Sequence, residues 1–129
     1  QPAATRSGTE RVLIHLTADP STAMLIRRGE RVADYLQAEC LGVYIQKNEH
    51  SADLSKEEQD AIDKLLSFAA NLHIEVTTLT CKDTGKALGD FAREHRVTQI
   101  FVSRNSRDIE RIVDLARDME VTIIAERRR

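Results

Sequence analysis

Two short stretches carry polar side chains that could line a ligand site, and the second is suited to holding an anion. "LTADPST" (16–22) gathers hydroxyls and a carboxylate in Thr17, Asp19, Ser21 and Thr22. "SRNSR" (103–107) offers Ser103, Asn105 and Ser106 as small polar groups, with Arg104 and Arg107 as charges. Each follows an apolar run and leads into a helical pattern, and the unpaired N–H groups at a helix start attract phosphate or carboxylate. The second helix is expected to begin near Ser106 or Arg107. A close backbone cradle for phosphate ordinarily uses glycine, whose missing side chain lets the anion approach, and serine stands here instead. Two readings therefore stand for each stretch. One is a ligand site, for phosphate in the case of the second stretch. The other is helix capping, by Asp19 or Ser21 with Pro20 near the first turn, and by a capped helix with solvated arginines in the second stretch. A third stretch, "GVYI" (42–45), sets Val43 and Tyr44 either beside a flat ring or in a plain core strand.

Something must bring these stretches together. Five runs, 11–17, 40–45, 74–80, 98–103 and 121–126, are short, apolar and rich in β-branched residues, as buried strands are. Helical periods separate them. Leu25, Ile26, Gly29, Val32, Ala33 and Leu36 make one apolar face across 21–37. Ser55 and Glu58 have the spacing of a capping box ahead of a stripe of Ile62, Leu65, Leu66, Ala69 and Leu72. Ala87, Leu88, Phe91 and Ala92 mark a third helix, and Ile109, Ile112, Val113 and Ala116 a fourth. Strict alternation of strand and helix predicts an α/β fold, a doubly wound five-stranded parallel sheet with helices on both faces. In such sheets ligands sit beyond the carboxyl ends of the strands, where all three stretches end. The polar connection 46–55 leaves the same end, as a surface loop or as a lid.

Composition limits the alternatives. A chain of 129 residues fits one domain over 11–126, with 1–10 read as a linker and 127–129 as a basic tail or a cut end. At 41% hydrophobic and 31% charged it should fold, and no apolar run is long enough for a membrane span. A formal charge of −2 gives no general attraction to nucleic acid or to an anionic membrane. Cys40 and Cys81 lack metal-ligand spacing and read as buried reduced thiols in a cytoplasmic protein. The four histidines, His15, His50, His73 and His95, are scattered with no nucleophile motif beside them, and no GxxxxGK[ST] or GxGxxG pattern occurs. Arg104, Arg107 and Arg111 fall three and four apart among acidic residues, which predicts a salt-linked solvated edge.

The stretches "ERVLIHLTADPSTAMLIRRGERVADYLQAECLGVYIQ" and "ALGDFAREHRVTQIFVSRNSR" resemble the universal stress protein family, and within it the domain of KdpD-type potassium sensor histidine kinases. The likeness runs from Arg11 to about Ala125. It implies a Rossmann-like fold of the adenine nucleotide alpha hydrolase type, and a non-catalytic cytoplasmic input domain of a two-component kinase governing a potassium or osmotic response. The implied partners are the other domains of that kinase, a second copy of the chain or a stress-protein partner. The implied ligands are ATP or cyclic di-AMP. Residue by residue, the resemblance puts Thr17 where ATP-binding members have an Asp, with Asp19 two positions late, and puts Ser103 and Ser106 at the two glycines of the family's GxxG. The later Gly-Ser is missing, so the ATP signature is degenerate. Against a cyclic di-AMP pattern of SxS, a twenty-residue gap and FTAxY, the chain aligns Thr17 to Asp19 and Cys40 to Tyr44, keeping the gap and the final tyrosine. Asp19 would then set a carboxylate beside a phosphodiester. The other implied reading is an interaction module with no small ligand.

Overall fold

The computed structural model describes residues 10–48, 54–106 and 108–124. The stretches read as linker and tail lie mostly outside these, as do Arg107 and the middle of the 46–55 connection. Five strands alternate with four helices: β1 (Arg11–Leu16), α1 (Thr22–Leu36), β2 (Glu39–Gln46), α2 (Lys56–Asn71), β3 (Glu75–Thr80), α3 (Thr84–Glu94), β4 (Gln99–Ser103), α4 (Ile109–Leu115) and β5 (Glu120–Ile124). The strands form one sheet in the order β3-β2-β1-β4-β5, and every neighbouring pair is parallel.

Two-residue alternation along the strands divides the apolar side chains between two layers. Val12, Ile14, Leu16 and Phe101 pack with Leu25, Ile26 and Ala69 from α1 and α2. Leu13, Val43, Ile100 and Val102 pack with Leu88, Phe91 and Ile112 from α3 and α4. Helices therefore cover both faces, as the alternation predicts. Gly29 lets α1 approach closely, since a Cβ there would stand 2.7 Å from the Ile14 side chain.

The predicted capping box is present: the Ser55 hydroxyl accepts from the Glu58 N–H and the Glu58 carboxylate accepts from the Ser55 N–H. Two expectations change. Val113, read as part of the α4 stripe, is 44% exposed, because the seven-residue α4 buries Ile112 and turns the next position outward. Both cysteines are free but half-buried, with burial and then Glu30 pushing the Cys40 thiol up to about 12.

Gln37, His73 and Arg96 each follow a helix with positive φ (58°, 63° and 55°), a conformation that disfavours a side chain. Arg96 is exposed and, among the described residues, makes no side-chain bond that glycine would forfeit. Arg96→Gly is expected to raise the unfolding free energy by roughly 0.5–1 kcal/mol, relief of strain outweighing the greater freedom of the unfolded chain. Urea denaturation checks this, and an unchanged midpoint would refute it.

Candidate functional site

Strand order reverses at β1, with β2 and β3 on one side and β4 and β5 on the other. The segments leaving β1 and β4 consequently face each other across the switch point. A chain of hydrogen bonds joins them. The Asn105 N–H donates to Ser103 Oγ at 3.1 Å, and the serine hydroxyls of Ser103 and Ser21 lie 3.0 Å apart. The Ser21 hydroxyl donates to Asp19 Oδ1 at 2.6 Å, which leaves the Ser103 hydroxyl to donate to Ser21. Asp19 Oδ1 also takes the Ser21 N–H at 2.8 Å, and Asp19 Oδ2 takes the Asn105 side-chain amide at 3.2 Å, closing the ring. Behind it, the Thr22 hydroxyl donates to the Thr17 carbonyl, the Thr17 hydroxyl lies 3.1 Å from that of Thr22, and Thr17 Oγ1 accepts from the Asp19 N–H. Ser21, Thr22 and Ser103 are all buried. These groups satisfy one another, as buried polar groups must. The Ser21 hydroxyl, followed by the Ser21 and Asn105 amides, holds the Asp19 carboxyl below the usual carboxylate range against a partial burial effect.

Above this clasp lies an open crevice of about 800 Å³. Thr17, Asp19, Asn105 and Ser106 line it, together with His15, Lys47, Glu58, Thr84 and Asp108, which come from β1, the segment after β2, α2, α3 and the start of α4. His15 is 4% exposed, and its Nδ1 has no hydrogen-bond partner among the described residues. Burial pushes its imidazole down to about 4, with Asp108 opposing, so the ring is neutral at pH 7. Of the charges lining the crevice among the described residues, Asp19, Glu58 and Asp108 are negative and Lys47 alone is positive.

Four of the residues read from sequence thus meet at the crevice, and Ser103 lies just beneath them. Arg104 is exposed, its N–H donating to the Ile124 carbonyl at 2.9 Å beside β5. Tyr44 packs on the α1/α2 layer, where burial and then Glu58 raise its hydroxyl's pKa. Arg107 lies outside the described residues. The helix expected near Ser106 or Arg107 begins instead at Ile109, because the Ser106 N–H is committed to the Ser103 carbonyl in a turn and Asp108 occupies the N-cap position. A carboxylate, rather than bare N–H groups, leads the short α4. The capping reading of α1 holds for Asp19 and fails for Ser21: Asp19 Oδ1 accepts the Ser21 N–H ahead of the helix, Ser21 makes no side-chain cap bond, and the Asp19 and Pro20 carbonyls take the Thr22 and Ala23 amides. Arg111 is ion-paired, but to Asp83 at the N-cap of α3 rather than to the acidic residues of its own helix, through Nε at 2.9 Å and Nη2 at 2.5 Å. Arg104 is not on the helix of Arg111.

His15, Lys47, Glu58, Thr84 and Asp108 escape a reading by motif. The signal for His15 was present in β1, where two-residue alternation puts it on the buried side of Leu13 at the carboxyl end. Among the described residues, no three or more His, Cys, Asp or Glu groups are placed to hold a metal ion, and no helix is long and apolar enough to cross a membrane.

No family model matches the chain. The universal stress protein from Archaeoglobus fulgidus in complex with dAMP shares the fold with a TM-score of 0.66, at 14% identity over 89% of this chain and 97% of that one. This chain carries the universal-stress-protein-like fold. A universal stress protein in complex with cAMP is similar to this fold at TM-score 0.67, with 12% identity over 92% of this chain and 98% of that one. The universal-stress-protein-like chain is also related to the sensor protein KdpD of Mycobacterium tuberculosis, at 35% identity over 107 residues. That match covers 81% of this chain and 12% of the length of KdpD.

Proposed function

We propose that this chain is a cytoplasmic regulatory input domain of a KdpD-like sensor kinase, non-catalytic in itself, passing a potassium or osmotic signal to attached domains. Its relation to KdpD at 35% identity over most of the chain carries the reading. We further propose that residues 11–126 form the functional unit, and that its adenine-nucleotide site is degenerate.

Electrostatics and hydrogen bonding support the second point. Ser103, Ser21 and one hydrogen of the Asn105 amide are committed within the clasp to one another and to Asp19, so a phosphate reaching for those groups would have to break existing bonds. It would also meet the carboxylates of Asp19 and Asp108, and like charges at close range repel. Of the turn's cations, Arg104 is the one among the described residues, and its side chain stands exposed rather than lining the crevice. ATP, cyclic di-AMP and the mononucleotides named for the fold relatives are therefore expected to give no saturable heat in calorimetry, with or without magnesium. Saturable binding abolished by Ser103→Ala with Arg104→Ala would overturn the degenerate-site reading. Deleting residues 11–126 from the sensor polypeptide tests the regulatory role, which fails if the stimulus dependence of its output is unchanged.

A second reading, an interaction module for another copy or a stress-protein partner, is favoured by the edge strand β5, where Ile123 is 47% exposed. Concentration-dependent sedimentation of the wild type and Ile123→Lys separates it from the first.

A further inference from the structure

Helix α1 carries a row of charges that is its own complement when the helix is turned end for end. Arg27, Glu30, Arg31 and Asp34 recur three and four residues apart, so they share one side of α1, away from the buried Leu25, Gly29 and Ala33. Reversal about a point between Glu30 and Arg31 sets Arg27 against Asp34 and Glu30 against Arg31. We infer that this face joins two copies of the chain, their α1 helices antiparallel about a twofold axis, with Arg27 beside the partner's Asp34 and Arg31 beside the partner's Glu30. The contact goes beyond the input-domain role and uses a surface separate from β5.

Three observations carry it. The first is that these charges have no use within the chain. Arg27, Arg31 and Asp34 are exposed and Glu30 is half-buried, and none of the four has an ion-pair partner among the described residues. The same spacings on α3 do pair, Asp90 with both Lys86 and Arg93. The second is their order. Acidic groups near a helix start and basic groups near its end stabilise it, and α1 has neither. Its arginines precede its carboxylates, which is the poorer sense for pairs along one helix. An antiparallel neighbour turns that order to advantage, because each Asp34 then lies beside an arginine in the amino-terminal half of the partner's helix. Glu75, in the groove that Glu30 and Asp34 also line, adds to the negative end. The third is Tyr35. It is 86% exposed, and helical spacing puts it on the same flank of the row as Arg28. A twofold axis brings that flank against itself, so the Tyr35 ring meets the partner's Arg28, and stacked Tyr and Arg are the residue types that anchor interfaces. Exposed ion pairs are individually weak, so the charges set direction and register while the aromatic contact holds. The Arg27 guanidinium already lies 5.5 Å from the Phe68 ring centre of α2, which reduces the ordering that association requires.

The test is sedimentation equilibrium of the whole 129-residue chain over rising concentration, at about 50 mM and about 500 mM salt. The wild type is expected to dimerise, more weakly at the higher salt, and dilution should shift the amide signals of Arg31 and Tyr35 rather than those of β5. Arg27→Glu with Arg31→Glu makes the row wholly acidic, Glu30→Lys with Asp34→Lys makes it wholly basic, and each pair of changes should weaken self-association at least about tenfold. Mixed in equal amounts, the two variants should recover association as a heterodimer. A wild type that stays monomeric up to about 1 mM overturns the inference, and so does a mixture that stays monomeric. Wild-type dilution shifts confined to β5, or association lost in Ile123→Lys and kept in both α1 variants, overturn it as well and assign the contact to the sheet edge. The input-domain reading stands under each of these outcomes.

Discussion

The unfolding free energy of this chain is expected to fall by about 3 kcal/mol as the pH drops from about 6.5 to about 4, with His15 as the source. The folded imidazole is held well below its ordinary value by burial, so the unfolded chain takes up the proton first. The neutral ring's contribution is complete above 6.5, declines as the solution acidifies, and is gone below about 4. A depression of that size, at about 1.4 kcal/mol per tenfold change in proton affinity, gives the stated loss. Asp108 faces the ring and opposes the effect of burial without reversing it. Asp83, lowered from 3.8 to about 2 by the Arg111 hydrogen bond first, acts in a separate window. So does Asp19, lowered chiefly by the Ser21 hydroxyl. Both carboxylates contribute above 3.8 and cease to do so as the pH falls through their folded values. Urea midpoints measured across the higher window should slope for the wild type and flatten for His15→Gln. A wild-type chain already flat there would mean that water reaches the ring.

Phe101→Ala is expected to cost about 3–5 kcal/mol, a large part of the roughly 5–15 kcal/mol that stabilises a typical domain. Phe101 is 2% exposed at the centre of the layer beneath α1, and its ring stands 3.7 Å from where a Cβ on Gly29 would lie. Removing the ring leaves a cavity that the helix can close only by tilting toward the sheet, and Ile14 already occupies the adjacent space. Ser103 is two positions further along β4 and on the same face, so the clasp shares the loss of support. Chemical denaturation measures the first effect, and faster amide exchange at Asn105 the second. A loss under about 1 kcal/mol would show that α1 resettles freely.

The strands and helices were legible because their signals are local. A β-branched run such as "VLIH" or a stripe such as Ile62, Leu65, Leu66 and Ala69 announces its element whatever the rest of the chain does. The meeting of Asp19 with Ser103 and Asn105 was legible at one remove, through the rule that doubly wound sheets bring carboxyl ends together. What those residues do on meeting was not legible. A serine at a glycine position reads as a blocked cradle, and only geometry shows that its hydroxyl, 3.0 Å from Ser21, takes part in a closed ring. Tyr44 shows the limit of spacing: the count along the chain is kept, yet pleating sends its side chain to the layer opposite Ile45. Glu58 and Asp108 belong to separate helical segments, so their shared crevice depends on how two layers dock. No short motif encodes that.

The entry to β1 is sewn to the start of β4. The Thr98 hydroxyl donates to Glu10 at 2.8 Å, the Arg11 N–H returns to Thr98 Oγ1 at 3.0 Å, the Thr98 N–H reaches the Arg11 carbonyl, and the Arg11 guanidinium holds the His95 carbonyl. Glu10, which sequence places in a linker, is thereby fixed to a residue 88 positions away. A load applied to the chain at Glu10 is shared with Thr98 through these bonds. From there β4 runs as a stiff rod through the packed centre to Ser103. The fold therefore has a continuous tow line of bonds, running from the start of β1 across to β4 and along that strand to the floor of the crevice at the opposite end of the sheet.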